Sequence, residues 1–196
     1  MRTVLYIVRH GETDWNQQGK IQGHLDIPLN ANGKHQAGLV AERLRGIEID
    51  SIYSSDLSRA KETALIIAGV LNISNLESCR HLRERSFGAF EGSDITSLLK
   101  TNPNYESNWH DEGEIESLHS VQKRAISRVT ELMIEARGKN ILVVSHGVLI
   151  GTFLHYLANE EEGTNLTIVN NTSISSFEYD HPSWKVNALN DDKHLY

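Results

Sequence analysis

An unbroken apolar run near the start of the chain constrains its fold more than any other feature. Residues 4–8 are apolar, several are β-branched, and the run stops at Arg9, His10 and Gly11. A short run bounded in this way predicts a strand that is buried on both faces, as in a parallel sheet. Ligands of open α/β sheets bind beyond the carboxyl ends of such strands. We therefore expect Arg9 and His10 to lie at a ligand-binding edge.

The same pattern recurs late in the chain. Residues 141–144 form a second apolar run, and Ser145, His146 and Gly147 follow it. If both runs are parallel strands of one sheet, His10 and His146 emerge at the same edge. Two imidazoles and a guanidinium that converge on one crevice predict an anion site, with phosphate as the first candidate.

Between these runs, strand and helix patterns alternate, which predicts a doubly wound α/β fold. Asn30 is a candidate N-cap for a helix to about residue 44, and Ser55 or Asp56 for a helix to about residue 71. Strands are expected at 49–54 and 76–79, helices at 117–137 and 148–157, and a terminal hairpin over 172–189. The weaker pattern at about 93–116 predicts a small helical insertion over the site, within a single domain that spans residues 1–196.

Composition narrows the classes of partner. The net charge is -7 and the pI is near 5.8, so the chain is not expected to bind nucleic acid or membrane surfaces. Cys79 is the only cysteine, which excludes an internal disulfide and fits a reducing compartment. No segment has the length of a membrane span. We expect a cytoplasmic protein with a small-molecule ligand, and the insertion and terminal hairpin are candidate surfaces for a homo-oligomer.

His10, Arg59 and Glu84 could serve phosphate chemistry, although Arg59 and Glu84 each have an ordinary alternative. A neutral imidazole at His10 is a competent nucleophile toward phosphorus. Arg59, in the first turn of a predicted helix, could hold an anion or could be a surface residue paired with Glu62 or Glu42. Glu84 could donate a proton, or its charge could be satisfied by its arginine neighbours. A metal site lacks support, because the chain has neither an HExxH pattern nor paired cysteines.

Taken together, these segments resemble the histidine phosphatase superfamily in its phosphoglycerate-mutase-like branch. The matching pieces, in the family's order, are residues 9–13 (RHGET) with Asn16, residues 54–60 (SSDLSRA) with Thr63, residues 82–92 around Glu84, and residues 145–147 (SHG). A single RHG triplet is a weak signal, but four segments in order over most of the chain are a strong one. The resemblance implies a three-layer α/β/α sandwich with a mostly parallel sheet.

The resemblance also implies roles for individual residues in a metal-free mechanism. His10 corresponds to the nucleophile that forms a phosphohistidine, and Glu84 to the proton donor. Arg9, Arg59 and His146 correspond to the pocket for the phosphoryl oxygens. The remaining family matches, which contact phosphate or substrate, are Asn16, Gln22, Gly23 and Gly147. The flanking cations are expected to keep His10 unprotonated at neutral pH.

The family contains both phosphatases and mutases, and the sequence favours a phosphatase of small phosphomonoesters. Family mutases carry Lys and Arg in the insertion, whereas residues 101–120 contain five acidic residues and neither Lys nor Arg. Val148 also stands where those mutases have Asn. The alternatives are a phosphoglycerate mutase that uses 2,3-bisphosphoglycerate as its cofactor, and a binding protein without turnover. No cofactor is expected for the phosphatase.

Overall fold

A computed structural model describes residues 2–101, 103, 114–159 and 166–196. The strands of this described part form one six-stranded sheet in the order β3-β2-β4-β1-β5-β6. The first four strands in this order run parallel, whereas β5 is antiparallel to β1 and β6 is antiparallel to β5. The strands are β1 (Thr3–Arg9), β2 (Ser51–Ser55), β3 (Leu76–Cys79), β4 (Asn140–Ser145), β5 (Ile174–Asp180) and β6 (Ser183–Asp191). The predicted mostly parallel sheet and its terminal hairpin are therefore confirmed.

Helices cover both faces of this sheet. They are α1 (Asp14–Gln17), α2 (Ala31–Leu44), α3 (Ser58–Leu71), α4 (Ile95–Thr101), α5 (Leu118–Glu135) and α6 (Gly147–Leu157), with short 3-10 turns at Arg80–Leu82, Gly88–Phe90 and Lys193–Leu195. On one face, buried residues of α2 and α3 such as Val40 and Ile67 pack with Ile52 of β2. On the other face, Phe153 of α6 packs with Ile7 of β1. This arrangement confirms the three-layer α/β/α sandwich.

The start of α2 confirms one prediction, and the start of α3 corrects another. Asn30 caps α2, because its side chain accepts the backbone N–H of Gly33 at 2.7 Å. Neither Ser55 nor Asp56 is the N-cap of α3, which follows Leu57 and has no side-chain cap from that residue. Instead, the backbone N–H of Ser58 donates to Asp26 at 2.6 Å. The helix is capped from a distant loop, a contact that a local pattern does not reveal.

The two His-Gly strand ends meet at the same edge of the sheet, as the sequence predicts. Strands β1 and β4 are parallel neighbours, and Arg9 lies opposite Ser145. The backbone N–H of His10 donates to the carbonyl of Ser145 at 2.9 Å. The register therefore brings both histidines to one crevice beyond the carboxyl ends of the strands.

The predicted insertion falls largely outside the described residues. Within it the structure gives α4, and the backbone N–H of Glu116 donates to Ser86. Residue 102 and residues 104–113 lie outside the description, so the expected position over the site stays a prediction. Among the helices that the structure describes, none combines the length and apolar character of a membrane span.

Candidate active site

The centre of the site is a pair of buried histidines. The imidazole rings of His10 and His146 lie edge to face, with their centroids 5.1 Å apart. Their side chains come from strand ends that are far apart in the chain, and His10 is only 2% exposed. The structure thus brings together the two residues that the sequence analysis singled out.

Hydrogen bonds fix the orientation of His10. Nδ1 lies 2.7 Å from the carbonyl oxygen of Gly11, which can only accept, so Nδ1 carries the proton and Nε2 keeps its lone pair. The Asn171 amide donates to the His10 carbonyl at 2.9 Å. Burial, assisted by the Arg59 and Arg9 guanidinium groups, holds the pKa of His10 well below its ordinary value. This direction agrees with the expected neutral imidazole, and burial contributes more to it than the cations do.

Arg59 is buried in the site and does not form either of its alternative surface pairs. It is 0% exposed, and its guanidinium donates to the carbonyls of Gly23 and Leu25 at 2.8 and 2.9 Å. The acids proposed as its surface partners are engaged elsewhere, Glu62 with Lys34 and Glu42 with Arg45. Burial lowers the pKa of Arg59 to about 10, so the side chain stays cationic at neutral pH.

Arg9 forms a second cationic side of the site. Its guanidinium donates to the carbonyl of Val169, which fixes it to the loop before β5. Burial lowers the pKa of Arg9, and the carboxylate of Glu84 opposes that shift. A Cβ atom added to Gly147 would lie 3.6 Å from Cζ of Arg9 and 3.8 Å from Oε2 of Glu84. Arg9, Glu84 and Gly147 therefore adjoin one another.

The carboxylate of Glu84 is held by backbone groups rather than by its arginine neighbours. Oε1 accepts the N–H of Arg85 at 2.9 Å and that of Leu149 at 3.2 Å, and Oε2 accepts the N–H of Val148 at 3.2 Å. Arg83 pairs instead with Asp56 at 2.7 Å. These contacts do not support the alternative in which neighbouring arginines satisfy the charge of Glu84. Glu84 therefore lies at the N-terminus of α6.

His146 is the N-cap residue of the same helix. Its Nδ1 and Nε2 atoms are both buried without a hydrogen-bond partner among the described residues. Burial, followed by the field of Arg59, holds the pKa of His146 well below its ordinary value. A buried neutral imidazole keeps one N–H donor, which suits an anionic oxygen that enters the crevice.

Three residues that are predicted to contact phosphate or substrate, Asn16, Gln22 and Gly23, lie in one stretch of the chain after β1. Asn16 uses its side-chain oxygen to accept the backbone N–H of Thr13 at 3.1 Å, in the capping box of α1. Gln22 is buried, and its Oε1 has no partner within the described ranges. Gly23 contributes its carbonyl to Arg59 and adopts a φ of +50°. A Cβ there would lie 2.1 Å from Oε1 of Glu91, so only glycine fits.

Two residues that the sequence analysis did not identify hold the backbone of Glu84. The carbonyl of Glu84 accepts hydrogen bonds from Nε2 of His24 and from the guanidinium of Arg124, both at 2.8 Å. Arg124 also pairs with Glu116 at 2.8 Å. The sequence gives no motif for Arg124, and the only signal for His24 is its position directly after Gln22 and Gly23.

Comparison with known proteins gives a family match over nearly the whole chain. A model of the histidine phosphatase superfamily (branch 1) matches residues 5–192. Phosphoglycerate mutase-like protein 4 of Arabidopsis thaliana is 36% identical over 200 residues, which cover 97% of this chain and 86% of the relative. The uncharacterized phosphatase PhoE of Bacillus subtilis is 33% identical over 194 residues, which cover 98% and 97% of the two chains.

Solved structures also match this chain over nearly its whole length. Bacillus stearothermophilus YhfR superposes with a TM-score of 0.92 at 29% identity, over 99% of this chain and 100% of that one. A mutant phosphoserine phosphatase from Entamoeba histolytica, in complex with phosphoserine, gives a TM-score of 0.86 at 32% identity, again over 99% and 100%. The neighbours therefore include proteins described as phosphatases and proteins described as mutase-like.

Proposed function

Because the chain belongs to the histidine phosphatase superfamily, we propose that it hydrolyses small phosphomonoesters through a phosphohistidine formed on His10. The observation that carries this proposal is the fixed orientation of that ring. With the Nδ1 proton bonded to the Gly11 carbonyl, the Nε2 lone pair is the nucleophile. The lowered pKa of His10 keeps this lone pair free of a proton at neutral pH.

In the first step, Nε2 of His10 attacks phosphorus and the bond from phosphorus to the ester oxygen breaks. Arg59, Arg9 and an N–H of His146 stabilise the charge on the three equatorial oxygens. The leaving alkoxide takes the proton of Glu84, which enters this step as the carboxylic acid, leaves it as the carboxylate and adjoins Arg9 and Gly147. Arg59 is held by two backbone carbonyls, so its orientation is set before substrate arrives.

In the second step, water attacks the phosphohistidine. The carboxylate of Glu84 takes the proton of this water, the bond from phosphorus to Nε2 breaks, and inorganic phosphate leaves. Glu84 is then protonated again and ready for the next substrate. The three cationic or N–H donors supply the charge stabilisation that a metal ion provides in other phosphatases, so we expect EDTA to leave the rate unchanged.

The charges along the sequence of the predicted insertion favour a phosphatase over a mutase. A mutase must retain a doubly anionic intermediate, and residues 101–120 have five acidic side chains and no Lys or Arg. Glu116, in this stretch, is already bound to Arg124. The position after Gly147 is Val148, which offers no polar side chain to a phosphoglycerate.

Trapping of the phosphoenzyme tests the proposal. The protein is mixed with labelled 4-nitrophenyl phosphate, quenched with alkali and digested, and the label is located by mass spectrometry. We expect an acid-labile, alkali-stable phosphate on His10, no label in His10→Ala, and normal labelling in His35→Ala, which changes an exposed residue of α2.

Absence of both label and phosphate release from the wild-type protein would contradict the phosphatase proposal and leave the mutase and the binding-protein alternatives. An enolase-coupled assay with 3-phosphoglycerate and a trace of 2,3-bisphosphoglycerate separates the two enzymes. Fast isomerisation with little free phosphate would assign the chain to the mutases instead.

A further inference from the structure

A cavity of about 550 Å³ opens beside Arg9, Glu84 and Gly147. This volume lies within the range of roughly 300–1,000 Å³ that is usual for small-molecule sites. Apart from the site residues, Arg85 and Thr167, the described residues that line it are all aliphatic: Ile95, Leu118, Val148, Leu166, Ile168 and Val169. The cavity adjoins the proposed proton donor, so it is where the leaving group of a bound phosphomonoester would extend.

Of the two cations that border the cavity, Arg9 serves the proposed phosphate site and Arg85 is engaged within the protein. Arg9 donates to the carbonyl of Val169. Arg85 is buried, donates to the carbonyl of Glu116 at 2.6 Å and lies over the ring of Phe87. Among the described residues that line the cavity, a second negative charge on the leaving group would therefore meet no cation besides Arg9, which faces the phosphate, and the buried Arg85.

Two of the aliphatic side chains that line the cavity are exposed to solvent. Ile168 is 80% exposed and Ile95 is 38% exposed. A single exposed hydrophobic residue is common, but two that line one cavity favour a binding site. The carbonyl of Val169 holds Arg9, so the segment that carries Ile168 is fixed relative to the phosphate end of the site.

We propose, on the basis of the proposed function, that the leaving group of the substrate is uncharged and largely apolar. An aryl or branched alkyl alcohol would place its carbons against Val148, Leu166 and Ile168 while its oxygen faces Glu84. The site would select against phosphomonoesters whose alcohol carries a carboxylate or a second phosphate.

Three aryl esters with leaving groups of similar basicity test this selectivity: phenyl, 1-naphthyl and 4-carboxyphenyl phosphate. We expect kcat/KM for 1-naphthyl phosphate to exceed that for 4-carboxyphenyl phosphate by roughly tenfold or more, with phenyl phosphate between them. Equal values, or a preference for the anionic ester, would overturn the inference while leaving the phosphatase proposal intact.

Substitution of Ile168 tests whether this side chain causes the preference among the esters. Ile168→Ser is expected to lower kcat/KM for 1-naphthyl phosphate about threefold to tenfold, mainly through KM. Ile168→Lys is expected to reverse the order by favouring the 4-carboxyphenyl ester. The matched control is Ile134→Lys, because Ile134 is 53% exposed on α5 and lines a different surface depression with Arg137 and His181. Unchanged selectivity in both Ile168 variants would exclude this wall as its source.

Binding of phosphonates keeps the inference testable without turnover. Calorimetry should show tighter binding of 1-naphthylmethylphosphonate than of methylphosphonate, by roughly tenfold. If no ester is hydrolysed but this preference holds, the proposed catalysis fails and the apolar site stands. If hydrolysis occurs but the phosphonates bind equally, the inference of an apolar site is wrong and the proposed catalysis stands.

Discussion

The two His-Gly strand ends share a sequence pattern, yet the structure secures their rings in different ways. At the end of β1, Nδ1 of His10 is bonded to the Gly11 carbonyl at 2.7 Å, which assigns the proton and orients the ring. At the end of β4, neither ring nitrogen of His146 has a hydrogen-bond partner in the described ranges. The repeated pattern thus predicts where the rings lie, whereas local hydrogen bonding distinguishes the proposed nucleophile from the proposed hydrogen-bond donor.

The two glycines differ in a related way. Gly11 lies against the backbone of α2, and a Cβ there would be 2.4 Å from the carbonyl oxygen of Gly33. Gly147 begins α6, and a Cβ there would meet Arg9 and Glu84 only at ordinary contact distances. Gly11 therefore permits a close backbone approach, while Gly147 leaves space beside two charged groups.

Among the changes that distinguish the two strand ends, we expect His146→Ala to have the largest effect, which is on catalysis. Loss of one oxyanion donor should lower kcat/KM by about a hundred- to thousand-fold. The phosphoenzyme should still form on His10, because the nucleophile is untouched. Rapid-quench measurement of labelled phosphoenzyme checks both points.

His146→Gln serves as the matched variant, since its amide retains an N–H donor and should recover part of the rate. If His146→Ala is folded by circular dichroism but His10 is never labelled, the division of roles between the two histidines is wrong.

Substitution of the two glycines is expected to have an intermediate effect, which is on the free energy of unfolding. Gly11→Ala should reduce the free energy of unfolding by about 1–3 kcal/mol, because its methyl group meets backbone that cannot rotate away. Gly147→Ala should change it by less than about 1 kcal/mol, since alanine suits a helix. Urea unfolding of both variants, monitored by circular dichroism, makes the comparison.

Gly38→Ala, within α2, is the control, because a Cβ there meets nothing within 4 Å. It should raise the free energy of unfolding by about 0.5–1 kcal/mol. Equal destabilisation by Gly11→Ala and Gly147→Ala would remove the proposed difference between the two strand ends.

Most of the fold, and the residues at the centre of the site, follow from local sequence patterns. The apolar runs before Arg9 and Ser145 determine two buried parallel strands, and their register brings His10 and His146 together. Helical periodicity and an Asn30 cap predict α2 at its observed bounds. These features depend on residues that are close in sequence, so one sequence is enough to infer them.

The polar contacts that complete the site depend on residues far apart in sequence. Arg59 is held by carbonyls more than thirty positions earlier, those of Gly23 and Leu25. Glu84 accepts the N–H groups of α6, more than sixty positions later. A backbone carbonyl or N–H has no side-chain signature, so no sequence pattern distinguishes a buried Arg59 from one on the surface.

A change of pH is expected to have the smallest effect, again on the free energy of unfolding. Burial lowers the pKa of both His10 and His146 in the folded protein, whereas the unfolded chain has ordinary values near 6.5. As the pH falls below that value, the unfolded chain binds protons that the folded protein excludes. The free energy of unfolding should therefore decrease with acidity, by at most about 1.4 kcal/mol per pH unit for each histidine.

Urea unfolding between pH 7.5 and 5 measures this slope in the wild-type protein and in the variants His10→Gln and His146→Gln. Each single variant should remove one histidine's share, because burial is the main cause of the shift in both rings. The double variant should remove both shares. A slope that neither substitution reduces would mean that the rings are protonated in the folded state, and a protonated His10 has no lone pair with which to attack phosphorus.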